Sequence, residues 1–586
     1  MVLDLNNWKK NWRLMPEFFN DNEIEKITSR LRKLKIKNVV YCSFENRFAK
    51  SGGLASVTTN ILPYLKEVNK IPNIILMTPL YSRITDLKNF NSPKKTFEVV
   101  FGNQKSIVEI YEYTWNYILP KNGSLKEYYI KADGFFDSKN RVNDPYIYFE
   151  TIKEQNEDII RKKNDDTIRK NAIFYCKVIP FTLKELGITE DIIFHLQDWQ
   201  TALISLTSKK AMLDNILNSC GTVQTLHNSF DSFISKECLL KLIDKQRIDK
   251  FYKKYKKGLN ALQIGLELVD APINTVSDNF AKEFTSDILQ TKYFARHLQK
   301  IFRMNGVFGV NNGMFIPFPT KFSKKNDFTV KEIKEIKSEK RQDLLEILDK
   351  YYPKERFGEL NYKGETIKNL PDEIPIIVMS GRLDPIQKGY DILLRAVKKF
   401  KKDELKIILA PMPVRDSDLN YFREIAEECK GNLTVFPIRM EKGFHELQVG
   451  STFGIMPSIY EPFGAAIEYM VNGTVTIARS TGGLVDQINH NNCGLLYKET
   501  SEFYNLNNIK EYSNNSNMVQ NRDNNSWVQS MVESLYEALR NAIELYQNDN
   551  KYYEIIINGF KKAKKFSWDL SASRYFQIYK KVNNGF

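Results

Sequence analysis

The sequence has no apolar run near the roughly 20 residues that a helix needs to cross a bilayer, so it predicts no membrane span. Its six cysteines are scattered and none stands in a Cys-x-x-Cys pair, which argues against a zinc ribbon and against a disulfide scaffold. The N-terminus, Met1 to Asn6, lacks a basic region followed by an apolar core, so we expect no secretory signal. Together these absences predict a protein of the reducing cytoplasm.

The chain has a formal net charge of +15, which would suit nucleic acid, a membrane surface or an anionic substrate. Its basic residues are spread out, with short clusters such as Lys321 to Lys325 and Lys561 to Lys565. No known nucleic-acid motif lies among them. We therefore interpret the charge as a solvated basic surface and expect no nucleic-acid partner. The sequence does not indicate an oligomeric state.

The length and composition are those of a soluble protein with two or three domains. The chain has 586 residues, where one domain takes roughly 100–200, and its apolar content of 42% and charged content of 27% are ordinary. Short apolar runs alternate with helical stretches from residue 37 onward, which predicts an α/β fold with parallel sheets covered by helices. The runs predicted to be strands are 38–42, 74–77, 192–195, 222–226 and 273–276, and then 374–379, 405–409, 433–436, 453–456 and 475–478.

Changes in composition predict five segments along the chain. A helix is expected over 337–350, within a connector rich in Lys and Glu. The Asn-rich stretch 503–526 has few apolar residues and is expected to be an exposed loop or a partly disordered insertion. The segments are an N-terminal extension (1–36), a first α/β domain (37–320), the connector (321–372), a second α/β domain (373–555) and a C-terminal helix (556–586).

Two glycine turns in the second α/β domain follow short apolar runs. Glu461 stands in a Glu-Pro-Phe-Gly turn after the run that ends at Met456, and Thr481-Gly482-Gly483 follows the next run. Glycine lets backbone N–H groups come close to a phosphate, and the N-terminus of a following helix favours negative charge. One carboxylate beside two such turns predicts a site that handles a sugar and a phosphate together.

Further charged or polar residues stand where predicted strands end and helices begin. In open α/β sheets, ligands bind at the loops beyond the carboxyl ends of the strands. We therefore expect these residues to face a common cleft. They are Lys50 with Gly52-Gly53, Asp198, His227, and Arg382 with Lys388.

A series of segments, in the same order, resembles the glycogen and starch synthase family of retaining glycosyltransferases. The resemblance covers about residues 37–315 and 374–580. It implies the GT-B fold, in which two Rossmann-like domains face each other across a cleft and a C-terminal helix crosses back to the first domain. The segments that carry it are Glu45–Leu54, His195–Leu203, Thr225–Asn228, Thr275–Ser277, Gly381–Gly389, Met456–Gly464, Arg479–Leu484 and Phe566–Trp568.

The resemblance implies a catalytic centre of five residues, Glu461, Arg382, Lys388, His227 and Asp198. Arg382 and Lys388 would stabilise the charge of the leaving diphosphate, since arginine grips phosphate in a bidentate way and lysine supplies a point charge. Glu461 would bind donor-sugar hydroxyls, while Asp198 and His227 would line the acceptor side. The family's front-face attack needs no protein nucleophile, in contrast to the paired carboxylates of retaining hydrolases.

The other implied site residues would bind the phosphates and the sugar of the donor. The family needs no metal or other cofactor, and we expect none here. The pair Asp416 and Asp418 is predicted to cap a helix rather than to bind a cation. The implied partners are a nucleotide-sugar donor and an α-glucan acceptor. The donor-binding residues are Lys50, Gly52, Gly53, Thr481, Gly482 and Gly483.

The chain departs from the family pattern on the acceptor and sugar side more than on the phosphate side. Gln200 replaces the second histidine of a His-Asp-Trp-His segment, and Gln263 stands where a family turn has lysine. One residue is missing between Gly464 and Gly473. Two further positions, Ser56 and Phe315, have lost an aspartate that is usual in the family.

Three hypotheses about function remain, ahead of a distant fourth, a basic nucleic-acid-binding protein. The first is an α-glucan synthase that adds glucose from ADP-glucose or UDP-glucose to the non-reducing end of a 1,4-glucan. The second is a related transferase that modifies a protein, a lipid or a small glycoside. The third is a weakly active glucan-binding regulator, against which the retained Lys50, Arg382, Lys388 and Glu461 argue.

Overall fold

The structure is a computed structural model, and its two parallel sheets agree with the predicted α/β architecture. Every run predicted to be a strand contains one. The pair Asp416 and Asp418 lies outside the described residues, as do parts of the connector and of the Asn-rich stretch. The structure describes residues 5, 8–82, 90, 92–137, 145–149, 157–323, 327–351, 363–364, 370–384, 386–412, 428–429, 431–436, 440, 442–514 and 522–584.

The first sheet has nine strands in the order β11-β10-β7-β6-β1-β2-β5-β4-β3. The strands from β11 to β5 run parallel to one another. Strands such as β1 and β6 are largely apolar and buried, because helices cover both faces of this part of the sheet. The strands are β1 (Asn38–Cys42), β2 (Asn73–Pro79), β3 (Lys95–Phe101), β4 (Gln104–Tyr117), β5 (Gly123–Ala132), β6 (Ile192–Gln197), β7 (Cys220–Leu226), β10 (Asn274–Thr275) and β11 (Phe308–Gly309), with β8 (Phe233–Ile234) and β9 (Leu259–Asn260) forming a separate antiparallel pair.

The antiparallel part of this sheet, β3 to β5, was not predicted from the sequence. β3 pairs with β4 and β4 pairs with β5 in antiparallel register. Their burial alternates along the chain, as in Lys95–Phe101, where exposed residues interrupt the buried ones. Antiparallel strands can keep one face in water, so they lack the continuous apolar runs that revealed the parallel strands.

The helices of the first half cover the first sheet. Their amphipathic faces meet the sheet in one large apolar core. A π-helical turn, Leu289–Phe294, and a 3₁₀ turn, Arg296–Leu298, follow the tenth α-helix. The α-helices are α1 (Met15–Phe18), α2 (Asp21–Arg32), α3 (Gly53–Asn69), α4 (Glu157–Glu185), α5 (Asp198–Ala202), α6 (Ile204–Leu213), α7 (Lys236–Leu240), α8 (Lys245–Lys254), α9 (Ala261–Leu266), α10 (Asp278–Ser286) and α11 (Gln299–Asn305).

The second sheet has seven strands in the order β12-β15-β14-β13-β16-β17-β18. Only β12 pairs in antiparallel fashion among the described strands of this sheet. Its strands are β12 (Lys363–Gly364), β13 (Ile376–Arg382), β14 (Lys406–Met412), β15 (Leu433–Val435), β16 (Phe453–Met456), β17 (Val475–Arg479) and β18 (Leu495–Tyr497).

Helices also cover the second sheet and then return to the first. A 3₁₀ turn, Ser501–Phe503, precedes the Asn-rich stretch. The α-helices are α12 (Thr320–Ser323), α13 (Val330–Tyr351), α14 (Tyr390–Val397), α15 (Phe444–Gly450), α16 (Ala466–Val471), α17 (Gly483–Gln487), α18 (Leu506–Asn514), α19 (Ser526–Gln547), α20 (Asp549–Ala563) and α21 (Trp568–Asn584). No helix of the described residues is both long and apolar enough to cross a membrane.

The N-terminal extension packs against the first domain. Asn20 and Glu23 form a capping box at the start of α2, and Glu23 also accepts two hydrogen bonds from Arg247. Ile27 and Leu31 on α2 are fully buried in the core of the first domain. Burying such side chains stabilises the fold by roughly 1.5–3 kcal/mol each. The described part of the extension therefore belongs to the body of the first domain.

The expectation of an exposed loop or disordered insertion at 503–526 is wrong for the part that the structure describes. Residues 506–514 form α18, which buries Ile509 and Tyr512. Arg522 is fully buried, with its guanidinium over the ring of Tyr512 and paired with Asp391. The low apolar content hid these contacts, because a few aromatic and charged side chains hold this segment in place.

The connector helix α13 packs against the second domain. Leu344 and Leu348 join the apolar cluster that includes Ile376 of β13. Lys337 is buried and its Nζ donates to the carbonyl oxygen of Ser451 at 2.8 Å. The pKa of Lys337 is lowered to about 7, chiefly by burial and also by the nearby charge of Arg341. The domain boundaries inferred from composition stay predictions.

The C-terminal helix α21 crosses back to the first domain, as the resemblance implied. The indole Nε1 of Trp568 donates to the carbonyl oxygen of Met314 at 2.8 Å, and Ser571 Oγ donates to that of Asn311 at 2.6 Å. Arg574 forms an ion pair with Asp278 at the start of α10. The chain passes between the domains near Met314 and again near Trp568, and these hydrogen bonds join the two passages.

Candidate active site

The carboxyl ends of the two sheets meet across the domain junction. Ser277, which caps α10 just after β10, donates its hydroxyl to the carbonyl oxygen of Pro462 at 2.6 Å. Pro462 belongs to the turn that follows β16. Nearby, the ring of Phe294 contacts that of Tyr460 with centroids 5.0 Å apart. The loops predicted to bind ligand therefore lie on opposing walls of one cleft.

Arg382 ends β13 and opens the loop that leads to α14. The carboxylate of Asp384 accepts hydrogen bonds from the backbone N–H groups of Ile386 and Gln387, which shapes this loop. Gly389 closes it at φ +68°, where a Cβ atom would lie 2.2 Å from the carbonyl oxygen of Pro457. Arg382 is half-buried, and its guanidinium makes no hydrogen bond or ion pair with any described residue. A half-buried cation without a partner is suited to binding an anionic ligand.

Lys388 and Glu461 form an ion pair between the two loops of the second domain. The Nζ atom of Lys388 lies 2.7 Å from Oε2 of Glu461, and Ser458 Oγ donates to the same oxygen at 2.9 Å. The side chain of Glu461 is 8% exposed and that of Lys388 is 20% exposed. The second oxygen of the Glu461 carboxylate makes no hydrogen bond with the described residues, so it can accept one from a ligand hydroxyl.

The Glu-Pro-Phe-Gly turn rests on a buried ion pair. Arg479 at the end of β17 pairs with Glu499, and its Nη1 donates to the carbonyl oxygen of Ile459 at 2.7 Å. Trp527 donates its indole N–H to Glu499 at 3.1 Å. Burial alone would raise the pKa of Glu499, but Arg479 outweighs it and lowers that pKa to about 2. Arg479 thus positions the backbone two residues before Glu461.

Glu468 is a second carboxylate beside the Lys388–Glu461 pair, and we did not identify it from the sequence. It lies in the first turn of α16 and is half-buried. Burial raises its pKa to about 8, helped by the Glu461 carboxylate and opposed by Lys388. The signal in the sequence was a glutamate in the helix that directly follows the Glu-Pro-Phe-Gly turn.

The first-domain glycine turn is built around Glu45. One oxygen of this buried carboxylate accepts hydrogen bonds from the backbone N–H groups of Ser51, Gly52 and Ala55, at 3.1, 2.9 and 3.2 Å. It thereby occupies the N-terminus of α3, where the helix favours negative charge. The amide of Gly52 faces inward to Glu45, whereas Gly53 and Lys50 are exposed. A phosphate at this turn would therefore meet Gly53 and Lys50 first.

Asp198 and His227 come together behind this turn. Asp198 Oδ1 accepts the backbone N–H of His227 at 2.7 Å, and Oδ2 accepts from Asn228 at 3.4 Å. Asp198 has φ +55°, a strained conformation for a residue other than glycine, which is found most often at functional sites. The pKa of Asp198 is raised to about 7, chiefly by burial; the His227 hydrogen bond opposes the rise and the charge of Glu45 contributes to it.

The imidazole of His227 is neutral at ordinary pH. Burial lowers the pKa of His227 to about 3. Its Nε2 atom lies 2.8 Å from Oε1 of Gln197, which can only accept, so His227 donates its proton there. His227 can therefore act as a hydrogen-bonding group on the acceptor side, but not as a cation.

His195 is separate from the cleft and ties α21 to the first sheet. It is fully buried, and its Nδ1 atom lies 2.8 Å from the hydroxyl of Tyr579 on α21. Its Nε2 atom lies 2.8 Å from Thr225 Oγ1, whose own proton goes to Asn274. Burial lowers the pKa of His195 to about 3, so the imidazole is neutral in this network.

The second-domain glycine turn is occupied by a carboxylate of the first domain. The N–H of Gly482 donates to Glu283 Oε1 at 2.6 Å, and Asn279 Nδ2 donates to the Gly482 carbonyl oxygen at 3.0 Å. Gly482 has φ +50°, and a Cβ atom there would lie 1.7 Å from the carbonyl oxygen of Glu461. Burial raises the pKa of Glu283 to about 7, and the charge of Asp287 adds to this.

The other amides of this turn bond within the chain. The N–H of Thr481 donates to the Arg479 carbonyl oxygen at 2.9 Å, and that of Gly483 donates to the Glu461 carbonyl oxygen at 2.9 Å. A donor phosphate could accept a hydrogen bond from the Gly482 N–H only if the Glu283 carboxylate no longer accepted it. Among the described residues, no group of three or more His, Cys, Asp and Glu side chains is placed to hold a metal ion.

Two family models match the chain, one in each half. The starch synthase catalytic domain matches residues 38–304, and glycosyl transferases group 1 matches residues 365–528. The first range spans the first sheet from β1 to β10, and the second spans most of the second sheet and its cleft loops.

Curated relatives match over nearly the whole chain. A glycogen synthase of Geotalea daltonii is 26% identical over 557 residues, which cover 91% of this chain and 96% of that protein. A glycogen synthase of Clostridium perfringens is 25% identical over 575 residues, which cover 94% of this chain and 99% of that protein. The similarity therefore includes both domains.

A solved structure shares the fold. The catalytic domain of starch synthase IV from Arabidopsis thaliana, bound to ADP and acarbose, superposes with a TM-score of 0.65 at 17% identity. The match covers 94% of this chain and 99% of that chain. Together with the two facing sheets, it shows the GT-B fold. The two family models and the curated relatives define the protein as a glycosyltransferase enzyme.

Within that class, the family models and the curated relatives show that the chain is similar to glycogen and starch synthases. The expected fold and the expected enzyme class are confirmed. The roles of the individual site residues stay predictions. The structure brings the eleven of them to one cleft, in two groups on opposing walls. On the first-domain wall are Lys50, Gly52, Gly53, Asp198 and His227, and on the second-domain wall are Arg382, Lys388, Glu461, Thr481, Gly482 and Gly483.

We expect Asp198→Asn to become more stable relative to wild type as the pH rises, and to transfer glucose more slowly than wild type. The folded-state pKa of Asp198, about 7, is raised above its unfolded value near 3.9. Its contribution to stability is thus fully present below the unfolded pKa and is lost as pH rises through about 7. The asparagine amide does not ionise and avoids this loss, which is at most about 4 kcal/mol at pH 8.

Thermal unfolding of Asp198→Asn and wild type at pH 5 and pH 8 checks this expectation. The difference in Tm should be larger at pH 8, and the exposed Asp133→Asn should show no such change. Equal differences at the two pH values would contradict a buried, destabilised carboxylate at Asp198.

Proposed function

We propose that the protein transfers glucose from ADP-glucose or UDP-glucose to the non-reducing end of an α-1,4-glucan and retains the anomeric configuration. The guanidinium of half-buried Arg382, which makes no hydrogen bond or ion pair with the described residues, supports this most strongly, together with the Lys388–Glu461 pair. An arginine and a lysine in a cleft suit a diphosphate, and a carboxylate with a free acceptor oxygen suits sugar hydroxyls.

In this reaction the bond between C1 of glucose and the β-phosphate oxygen breaks. Arg382 and Lys388 stabilise the negative charge that builds on the diphosphate, and Lys50 adds a third positive charge from the facing wall. Glu461 accepts hydrogen bonds from the donor sugar while it holds the ammonium of Lys388 in place. These residues act where charge develops, which is usually the largest contribution to such catalysis.

The acceptor hydroxyl attacks C1 on the face from which the diphosphate leaves. A new C1–O bond forms, and the proton of the hydroxyl passes to the leaving phosphate oxygen. Asp198 fixes the backbone of His227, and neutral His227 lines the acceptor side. Closure of the domains around both substrates would complete the site and exclude water.

An assay of donors and acceptors tests the proposal. Wild type is incubated with ADP-glucose or UDP-glucose, with and without glycogen, in the presence and absence of EDTA. We expect nucleotide release with at least one donor, dependence on glycogen, lengthened chains that α-glucosidase can digest, and no loss of rate in EDTA. Glu461→Gln serves as the inactive control.

The outcomes separate the alternatives. No nucleotide release with either donor would rule out the proposed reaction. Release that other acceptors stimulate but glycogen does not would favour a transferase acting on a protein, a lipid or a small glycoside. Loss of the rate in EDTA would show that a metal takes part.

A further inference from the structure

Two exposed phenylalanines lie in the loop that follows β7 and begins with His227. Phe230 is 55% exposed and Phe233 is 48% exposed. A water-exposed phenyl ring forgoes the stabilisation that burial of its apolar surface would supply. Exposed apolar side chains grouped beside a functional loop mark a binding surface.

The loop holds these rings in place by hydrogen bonds before and after each of them. The backbone N–H of Phe230 donates to Asn228 Oδ1 at 2.8 Å, and Ser229 Oγ donates to Gln290 Oε1 at 3.2 Å. The buried carboxylate of Asp231 accepts the backbone N–H of Leu262 at 3.0 Å. The exposure of the rings is therefore imposed by the fold, because the backbone between them is fixed.

Phe233 is also fixed through its strand. It belongs to β8, whose next residue, Ile234, is fully buried. Its ring lies over Gly258, where a Cβ atom would come within 3.0 Å of the ring. Because Gly258 has no side chain, the ring of Phe233 fits against the backbone there.

The loop lies beside the domain junction. Gln290, which Ser229 contacts, is in the π-helical turn that contains Phe294, and Phe294 contacts Tyr460 of the second domain. Tyr460 directly precedes Glu461. Phe230 thus stands three residues from His227, at the first-domain rim of the cleft that holds the predicted reaction centre.

We propose that Phe230 and Phe233 form a stacking platform for glucose units of an α-glucan acceptor, outside the reaction centre. The proposal rests on the proposed function and deepens it. The faces of a glucose ring expose C–H groups, which pack on aromatic rings, while its hydroxyls remain in water. A chain whose end reaches His227 must continue past the cleft rim, where the platform lies.

The size of the platform favours a glucan over a protein partner. A stable protein interface buries roughly 800 Å² on each side. Two rings separated by the buried Asp231 present far less apolar surface than that. A polymer of sugar rings needs only one aromatic face for each ring it stacks.

The double variant Phe230→Ala with Phe233→Ala tests the platform. Removing both rings takes away the apolar surface that glucose units would cover, so we expect the KM for glycogen to rise about ten-fold. The KM for the donor and the kcat with maltose should stay within about two-fold, and migration in glycogen-containing native gels should be less retarded. Phe230→Tyr with Phe233→Tyr should keep wild-type affinity.

The matched control is Leu570→Ala, which removes an apolar side chain that is 55% exposed on α21. It lies at the end of α3 remote from the glycine turn, where Asn69 donates to the Ala572 carbonyl oxygen. If the double alanine variant shows wild-type retardation in the gel and a wild-type KM for glycogen, the platform is overturned and the proposed function is not. A wild type that neither extends glycogen nor is retarded by it would overturn the proposed function and the platform with it.

Discussion

Arg382→Ala should lower kcat by about 10²- to 10³-fold while the melting temperature stays within about one degree of wild type. The expected loss follows from the charge on the leaving diphosphate, which the guanidinium would stabilise only as the glycosidic bond breaks. The unchanged stability follows from the structure, because the Arg382 side chain makes no hydrogen bond or ion pair with any described residue. Its removal therefore breaks no hydrogen bond or ion pair among the described residues.

Steady-state kinetics and thermal unfolding of the same preparations check this expectation. Arg382→Lys should restore part of the rate, since lysine supplies the charge but not the bidentate geometry. Arg303→Ala, which removes an exposed arginine of α11, should leave kcat unchanged. A kcat for Arg382→Ala within two-fold of wild type would remove this residue from the proposed mechanism.

Glu461→Ala should abolish detectable transfer. The carboxylate is the partner of the half-buried Lys388 and of Ser458, so its loss removes a sugar-binding group and leaves an ammonium without its anion. Breaking a buried ion pair from one side costs roughly 3–5 kcal/mol, and this partly exposed pair should cost less. The alanine variant alone would therefore mix a catalytic effect with a loss of stability.

Glu461→Gln separates these two effects. The glutamine oxygen can still accept from Ser458 and from Lys388, so the fold should persist while kcat falls by about 10²-fold or more. Circular dichroism and the Tm establish the fold, and nucleotide release measures transfer. Glu537→Gln on the exposed face of α19 is the matched control. A fully active Glu461→Gln would show that the negative charge at this position is not needed.

The parallel part of both sheets could be predicted because its strands are buried on both faces. Runs such as Val39 to Cys42 and Phe453 to Met456 are apolar at every position, and both lie inside strands of the structure. β4 could not be predicted in this way, because Glu109 and Lys131 on the facing strand form a partly exposed cross-strand ion pair. In such a strand apolar residues alternate with polar ones, so no continuous apolar run marks it in the sequence.

The candidate site also divides into residues that the sequence could identify and residues that it could not. Lys388 and Glu461 could be named from local sequence because each follows a strand in a loop of unusual composition. Glu45 and Glu283 could not be named, although both accept hydrogen bonds from the predicted phosphate turns. Their roles depend on where α3 and α10 begin and on how the domains meet, which no local pattern encodes.

The sequence by itself determined the architecture, the family resemblance and the position of the cleft loops, since buried parallel strands and the turns after them leave continuous local patterns. Only the tertiary structure decided which groups those loops face. It left the Arg382 guanidinium without a described partner, paired Lys388 with Glu461 at 2.7 Å, and set the carboxylate of Glu283 against the amide of Gly482. The physical reason is that charge and burial act through space, between residues that lie far apart in the chain, as Glu283 and Gly482 do at 199 positions.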